Sequence, residues 1–259
     1  MSAIGALDVT DVDISERLER IKKSTGYWCV NIRSTKFEEY KIDSTERCWD
    51  IIEKCRVFSN SPGSMIPFRW GYPVINSSER DSGDYWIQSG YDGLDGKKIW
   101  RFHQSGQFID YFTCFEDDHL GLELGFELKL DIFSTLYRIT EIYEFATRLA
   151  LKGIFDTGVK VTINLTGMEG RRLIERRNIK PDVTGVTIQD DINSIYFSNY
   201  ISSSNEINIK SNLNSINFIA SSREEALNKA MEIYSKFGLN DYPEFILREK
   251  QDDFLKRRL

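Results

Sequence analysis

The sequence predicts an α+β protein in which a mixed or antiparallel sheet packs on one long central helix. Three observations lead there. Residues 131–152, DIFSTLYRITEIYEFATRLALK, repeat apolar side chains at helical spacing. Residues 99–112, IWRFHQSGQFIDYF, place strand-forming aromatics on both sides of a Ser-Gly pair. Residues 158–165, GVKVTINL, alternate apolar and polar as a half-buried strand does. An N-terminal α+β part, 1–125, carries the aromatic hairpin. A C-terminal α+β part, 126–259, begins near the long helix, and the two pack as one unit.

The elements follow in order along the chain. ISERLERIKK, from Ile14 to Lys23, has apolar residues at 14, 18 and 21 and reads as a helix ended by Gly26. Tyr27 to Arg33 reads as a strand. Asp43 to Phe58 is a second helix, with Asp43 and Glu46 as a capping box and Ser44 as the alternative cap. Cys48, Ile52 and Cys55 share its inner face. SNSPG, 59–63, is a turn cluster. Residues 66–98 read as structured loop with short strands. Gly90, Gly93 and Gly96 are turn residues, because a dinucleotide site needs a strand before and a helix after such glycines.

A two-residue loop at Ser105-Gly106 sets the hairpin register. Trp100, Phe102, Ile109 and Tyr111 then share one face, and Arg101 opposes Asp110 on the other. In the long helix, Asp131 caps the start, Gly153 takes the C′ position, and Glu144 pairs with Arg148. Its apolar stripe is wide enough to be buried across a sheet. Strands at 158–165, 194–200 and 206–210 precede a helix at 222–237, capped by Ser222 with Glu225 and stopped by Gly238. A last helix spans 244–258.

Composition narrows the function classes. The 259 residues include 13% aromatic side chains and only 5 Pro, a globular balance. Net charge is −6: the first 130 residues hold 16 basic and 22 acidic side chains, the remainder 18 of each. Non-specific nucleic-acid binding needs clustered positive charge, so any nucleic-acid contact is confined to a local patch. The 4 Cys and 2 His include no CxxC pair and no zinc-ligand spacing, so neither a metal nor another cofactor is expected. Free cysteines and the absence of a signal-like or membrane-spanning apolar run place the chain in the cytoplasm, away from the membrane.

Three constellations bear on chemistry. Asp117, Glu127 and Lys129 resemble the Asp…Glu-x-Lys arrangement of metal-dependent nucleases, where carboxylates hold Mg²⁺ and the lysine steadies the attacking water. The alternative is a charged loop ahead of the long helix. His103 and His119 are available as acid and base, but no serine or cysteine sits in a nucleophile-elbow context. Gly167 and Gly170 follow a strand and precede Arg171, Arg172 and Arg176, a candidate anion site of backbone amides and guanidinium groups. A solvated helix explains the same residues.

RWGYPVI at 69–75, IWRFHQSGQFIDYF at 99–112, LYRITEIYEFATRLA at 136–150 and GRRL at 170–173 occur in that order. Together they resemble the region that follows the AlbA-like DNA-binding domain of Schlafen type in many bacterial proteins, which also occurs alone. The family pattern has Arg-Gly-Trp and a His after the Pro; here the order is Arg-Trp-Gly and no His follows Pro73. The AlbA-like domain is not among the matching segments, so its nucleotide or DNA binding does not carry over. The function of that family is unassigned, and its association is with mobile-element or antiviral loci; the expected function is a non-enzymatic sensor, binding or assembly module in a bacterial regulatory or antiviral-defence complex. A protein partner is expected to bind the side formed by Arg69, Trp70, Arg101, His103, Ser105 and Gln107. The alternative is a metal-dependent nuclease or a nucleic-acid-binding accessory protein.

Overall fold

The computed structural model describes residues 12–58, 71–93, 96–119, 128–176 and 194–256. Helix α1 (Val12–Lys22) leads into strand β1 (Tyr27–Ser34), helix α2 (Thr45–Cys55) and the short strands β2 (Val57–Phe58) and β3 (Gly71–Tyr72). Next come β4 (Arg80–Ser82), β5 (Trp86–Gly93), β6 (Gly96–His103), β7 (Phe108–Thr113) and the short helix α3 (Phe115–His119). Strand β8 (Lys129–Asp131) precedes the long helix α4 (Ile132–Leu151). The remaining elements are β9 (Val159–Thr166), β10 (Arg172–Arg176), β11 (Ser194–Ile201), β12 (Glu206–Leu213), α5 (Ser215–Lys236) and α6 (Glu244–Lys256).

Seven strands form one sheet in the order β12-β9-β1-β7-β6-β5-β4, with every neighbouring pair antiparallel. The expected α+β class holds, and the main sheet is the antiparallel form. β11-β10-β8 make a second, mixed sheet, and β2 pairs with β3. The main sheet takes strands from both sides of residue 125, since β1 lies between β7 and β9.

Alternation along the strands sorts the side chains. Trp28, Val30 and Ile32 of β1, Trp100 and Phe102 of β6, Phe108 and Phe112 of β7, and Val161 and Ile163 of β9 are buried together in the main core. α4 lies in that core. On one side, Phe145 meets Phe108 with ring centres 4.8 Å apart. On the other, Tyr143 stacks on Phe218 of α5 and Tyr137 on Phe254 of α6, at 5.7 and 4.8 Å. Both termini of α4 are as the sequence indicates: Asp131 accepts a hydrogen bond from the Ser134 amide, and Gly153 is left-handed at φ 74°. Glu144 pairs with Arg148 at 3.2 Å.

The hairpin is present, but its register differs by one residue from the expected one. Phe102 opposes Phe108, Arg101 opposes Ile109, Trp100 opposes Asp110 and Ile99 opposes Tyr111. The loop has three residues, 104–106. His103 N donates to Gln107 O at 2.9 Å, Gly106 N donates to His103 O at 2.8 Å, and Gly106 has φ 78°. A two-residue loop wants positive φ at its first or both central positions, which Ser105 resists; a three-residue loop needs it only at the last, where Gly106 stands. The slip divides the four side chains expected to share a face. Trp100 and Phe102 enter the main core, whereas Ile109 and Tyr111 turn to the opposite face, where Tyr111 packs with Ile21 of α1 and Ile99. The expected Arg101–Asp110 pair does not form.

Other expectations shift as well. Ser44, not Asp43, caps α2, accepting from the Arg47 amide. The segment expected to be mostly loop contains the eight-residue β5. Gly90 lies inside that strand, where the Arg17 guanidinium occupies the space a Cβ would take. The residues after Gly170 are strand β10 rather than a solvated helix. α5 begins seven residues early, capped by Asn214, and Ser222 is buried within it. The turn expected at 59–63 lies outside the described residues.

Candidate functional site

The residues nominated from the sequence scatter. Arg69, Trp70 and Glu127 lie outside the described residues, as do the side chains of His119 and Arg176. Arg101 is only 3% exposed. Its guanidinium donates twice to the Gln88 amide oxygen, at 2.8 and 3.0 Å, and lies 3.9 Å from the Trp86 ring centre. It braces β6 against β5 and does not present itself to a partner, contrary to its assignment. His103 sits beside it, half-buried; burial first and the Arg101 charge second hold its pKa down at about 4.

Arg171 is fully buried. It grips both carboxylate oxygens of Asp117, at 2.7 and 2.5 Å, and donates to the carbonyls of Gly167 and Lys129 at 2.7 and 2.9 Å. Arg171 therefore cannot meet a soluble anion, which corrects the anion-site reading. Arg172 opens β10 and pairs with Lys129 of β8. Asp117 and Lys129, offered as nuclease residues, are both tied to Arg171 in this junction between β8, α3 and the turn after β9. Among the described residues no group of three or more His, Cys, Asp or Glu could hold a metal ion.

Sequence reasoning missed a charged cluster beneath the sheet. Tyr72 from the 69–75 segment, Asp110 from the hairpin, and Arg138 and Glu141 from α4 converge there. Three segments distant in sequence, 69–75, 99–112 and 136–150, thus meet at one place. Arg138 donates to Glu141 at 2.8 Å, and its guanidinium lies 5.0 Å from the Phe112 ring centre and 5.9 Å from that of Tyr72. Asp110 is 4% exposed. Burial pushes its pKa up to about 7, against the opposing pull of Arg138 and Lys98. The Tyr72 hydroxyl is close enough to feel the Asp110 charge, yet among the described residues it meets no partner at ordinary hydrogen-bond geometry; neither does the Thr135 hydroxyl of α4. The correct loop length carried the signal for this cluster, because it turns Asp110 inward.

An accessible feature lies at the hairpin tip. Tyr40 and Tyr85 are 57% and 54% exposed, with ring centres 5.6 Å apart. The hairpin backbone holds the segments that carry them: Gln104 N donates to Tyr85 O at 2.9 Å, and Ile42 N, two residues after Tyr40, donates to Gln104 O at 2.8 Å. Ser105 and Gln107 flank the tip, and Gln107 donates to the Asn31 side chain at 3.1 Å. Phe37, 62% exposed, precedes Tyr40 on the same loop.

The cysteines are packing groups. Cys48, Cys55 and Cys114 are buried and Cys29 is half-buried, none in a disulfide. Burial pushes the thiols of Cys48 and Cys55 up to about 12 and 11, so both stay protonated and unreactive near neutral pH. No described helix is long and apolar enough to cross a membrane. No family model matches the sequence, and neither a curated protein nor a solved structure matches it.

Proposed function

We propose that the chain is a non-enzymatic binding or assembly module of a bacterial regulatory or antiviral-defence complex, and that a protein partner docks on the rim formed by Phe37, Tyr40, Tyr85, Ser105 and Gln107. The observation that carries this reading is the exposed Tyr40–Tyr85 pair, in which Tyr85 and Ile42, two residues after Tyr40, bond to the backbone of one hairpin residue, Gln104. Tyrosine is enriched at interface hot spots, and large apolar side chains clustered on a surface mark contact sites. A pair already fixed in place loses little freedom on binding. Of the binding residues suggested by the sequence, Ser105 and Gln107 remain in this reading.

Affinity capture from the native host tests it, comparing wild type, Tyr40→Ala/Tyr85→Ala and Phe245→Ser, the last altering an exposed side chain on α6. A partner retained by wild type and Phe245→Ser but reduced at least tenfold by the tyrosine double variant supports the reading. Capture that ignores the tyrosines, or no specific partner at all, rejects it.

A further inference from the structure

We propose that two copies of the chain associate through β12, joining their seven-stranded sheets edge to edge about a two-fold axis at Asn208. Both ends of the main sheet are edges, and they differ. β4 is three residues long, exposed throughout, and carries Arg80 and Asp81. Short charged strands of this kind resist pairing with other chains. β12 has eight residues, pairs with β9 in an unbroken register from Glu206 to Leu213, and contains no proline. Among the described residues no strand lies on its other side.

The free edge can be read group by group. Thr35 N donates to Gly158 O at 3.0 Å, in the same register as the β1–β9 ladder. In an antiparallel ladder bonded pairs alternate, so the even-numbered residues of β9 turn their main-chain groups to β1 and the odd-numbered ones to β12. The partners of the odd ones are Ile207, Ile209, Ser211 and Leu213. The amides and carbonyls of Glu206, Asn208, Lys210 and Asn212 therefore face away from the sheet. The Glu206 carbonyl accepts from the Ser204 hydroxyl at 2.7 Å, as a group outside the ladder would.

The side chains at this edge select a second copy and one register. With Asn208 opposite its own copy, Glu206 faces Lys210 of the second chain twice over, and Ile207 faces Ile209. The bonded pairs then fall on Glu206, Asn208 and Lys210, the residues whose main-chain groups are turned outward. Sliding by two residues, the smallest step that keeps the outward groups opposed, sets Lys210 or Glu206 opposite Asn208 and loses both charge pairs; sliding by four sets Lys210 or Glu206 opposite itself, and like charges directly opposed are destabilising. Such a seam is isologous and closes on itself.

Sedimentation of the full chain over a wide concentration range tests the seam. Wild type is expected to be a concentration-dependent dimer. Lys210→Glu opposes carboxylates at both symmetric positions and should weaken association about tenfold or more. The swap Glu206→Lys/Lys210→Glu restores opposite charges and should restore the dimer. Asn208→Pro removes a donor at the axis but none from the β9 ladder, so a monomer with an unchanged circular-dichroism spectrum is expected. A wild type monomeric at all concentrations overturns the proposal and leaves the edge to a strand from another protein. A dimer that survives Asn208→Pro, or a swap that fails to restore association, overturns it as well.

Discussion

Asp110 and Arg171 are both charged side chains in the interior, and they are accommodated in opposite ways. Asp110 has the cations Arg138 and Lys98 nearby, yet burial outweighs them and raises its pKa to about 7, from about 4 when unfolded. The native state then holds a proton that the unfolded chain has already released between those values. Stability falls as pH rises through that window and stays reduced above it. Asp110→Asn should therefore melt higher than wild type at pH 8, by up to about 4 kcal/mol of stability, with the difference closing near pH 4. Thermal melts across that range read it directly. Arg171, by contrast, has a bidentate carboxylate and two carbonyls. Arg171→Met should cost about 3–5 kcal/mol by stranding Asp117, and adding Asp117→Asn should recover part of that loss, as measured by denaturant unfolding. The pairing with Asp117 joins positions too far apart in sequence for any local pattern to reveal.

The long helix could be read from the sequence to within a residue at each end, because its period, cap and terminal glycine agree. α5 could not. Ser222 with Glu225 imitates a capping box, while the true cap, Asn214, stands at the end of a strand and before a stretch rich in Ser and Asn. Asn214→Ala should cost about 1 kcal/mol, and Ser222→Ala should change stability by less than about 0.5 kcal/mol. Denaturant melts of the two variants distinguish the start points. The hairpin failed for a similar reason: the pattern fixed its existence, and one loop residue decided which face Asp110 joined. With that residue counted wrongly, a buried charge was read as a partner for Arg101, and the cluster with Tyr72, Arg138 and Glu141 stayed invisible.

At the scale of the whole molecule, the class of fold follows from local patterns, but strand order does not. Nothing in YWCVNIR says that β1 will lie between β7 and β9, since that choice is made by which apolar faces fit together across α4. The exposed tyrosine rim was equally hidden. Tyr40 and Tyr85 are far apart in the chain and meet where Tyr85 and Ile42, two residues after Tyr40, both bond to the backbone of Gln104 at the hairpin tip. That central place for β1 has a kinetic consequence. β1 must wait for a neighbour encoded far downstream of it, β9, before its far side is paired. Contacts of such long sequence separation slow folding. The nascent chain therefore carries an open strand edge from the synthesis of β1 until that of β9, and chaperone dependence should be greatest in the interval before β9 emerges from the ribosome.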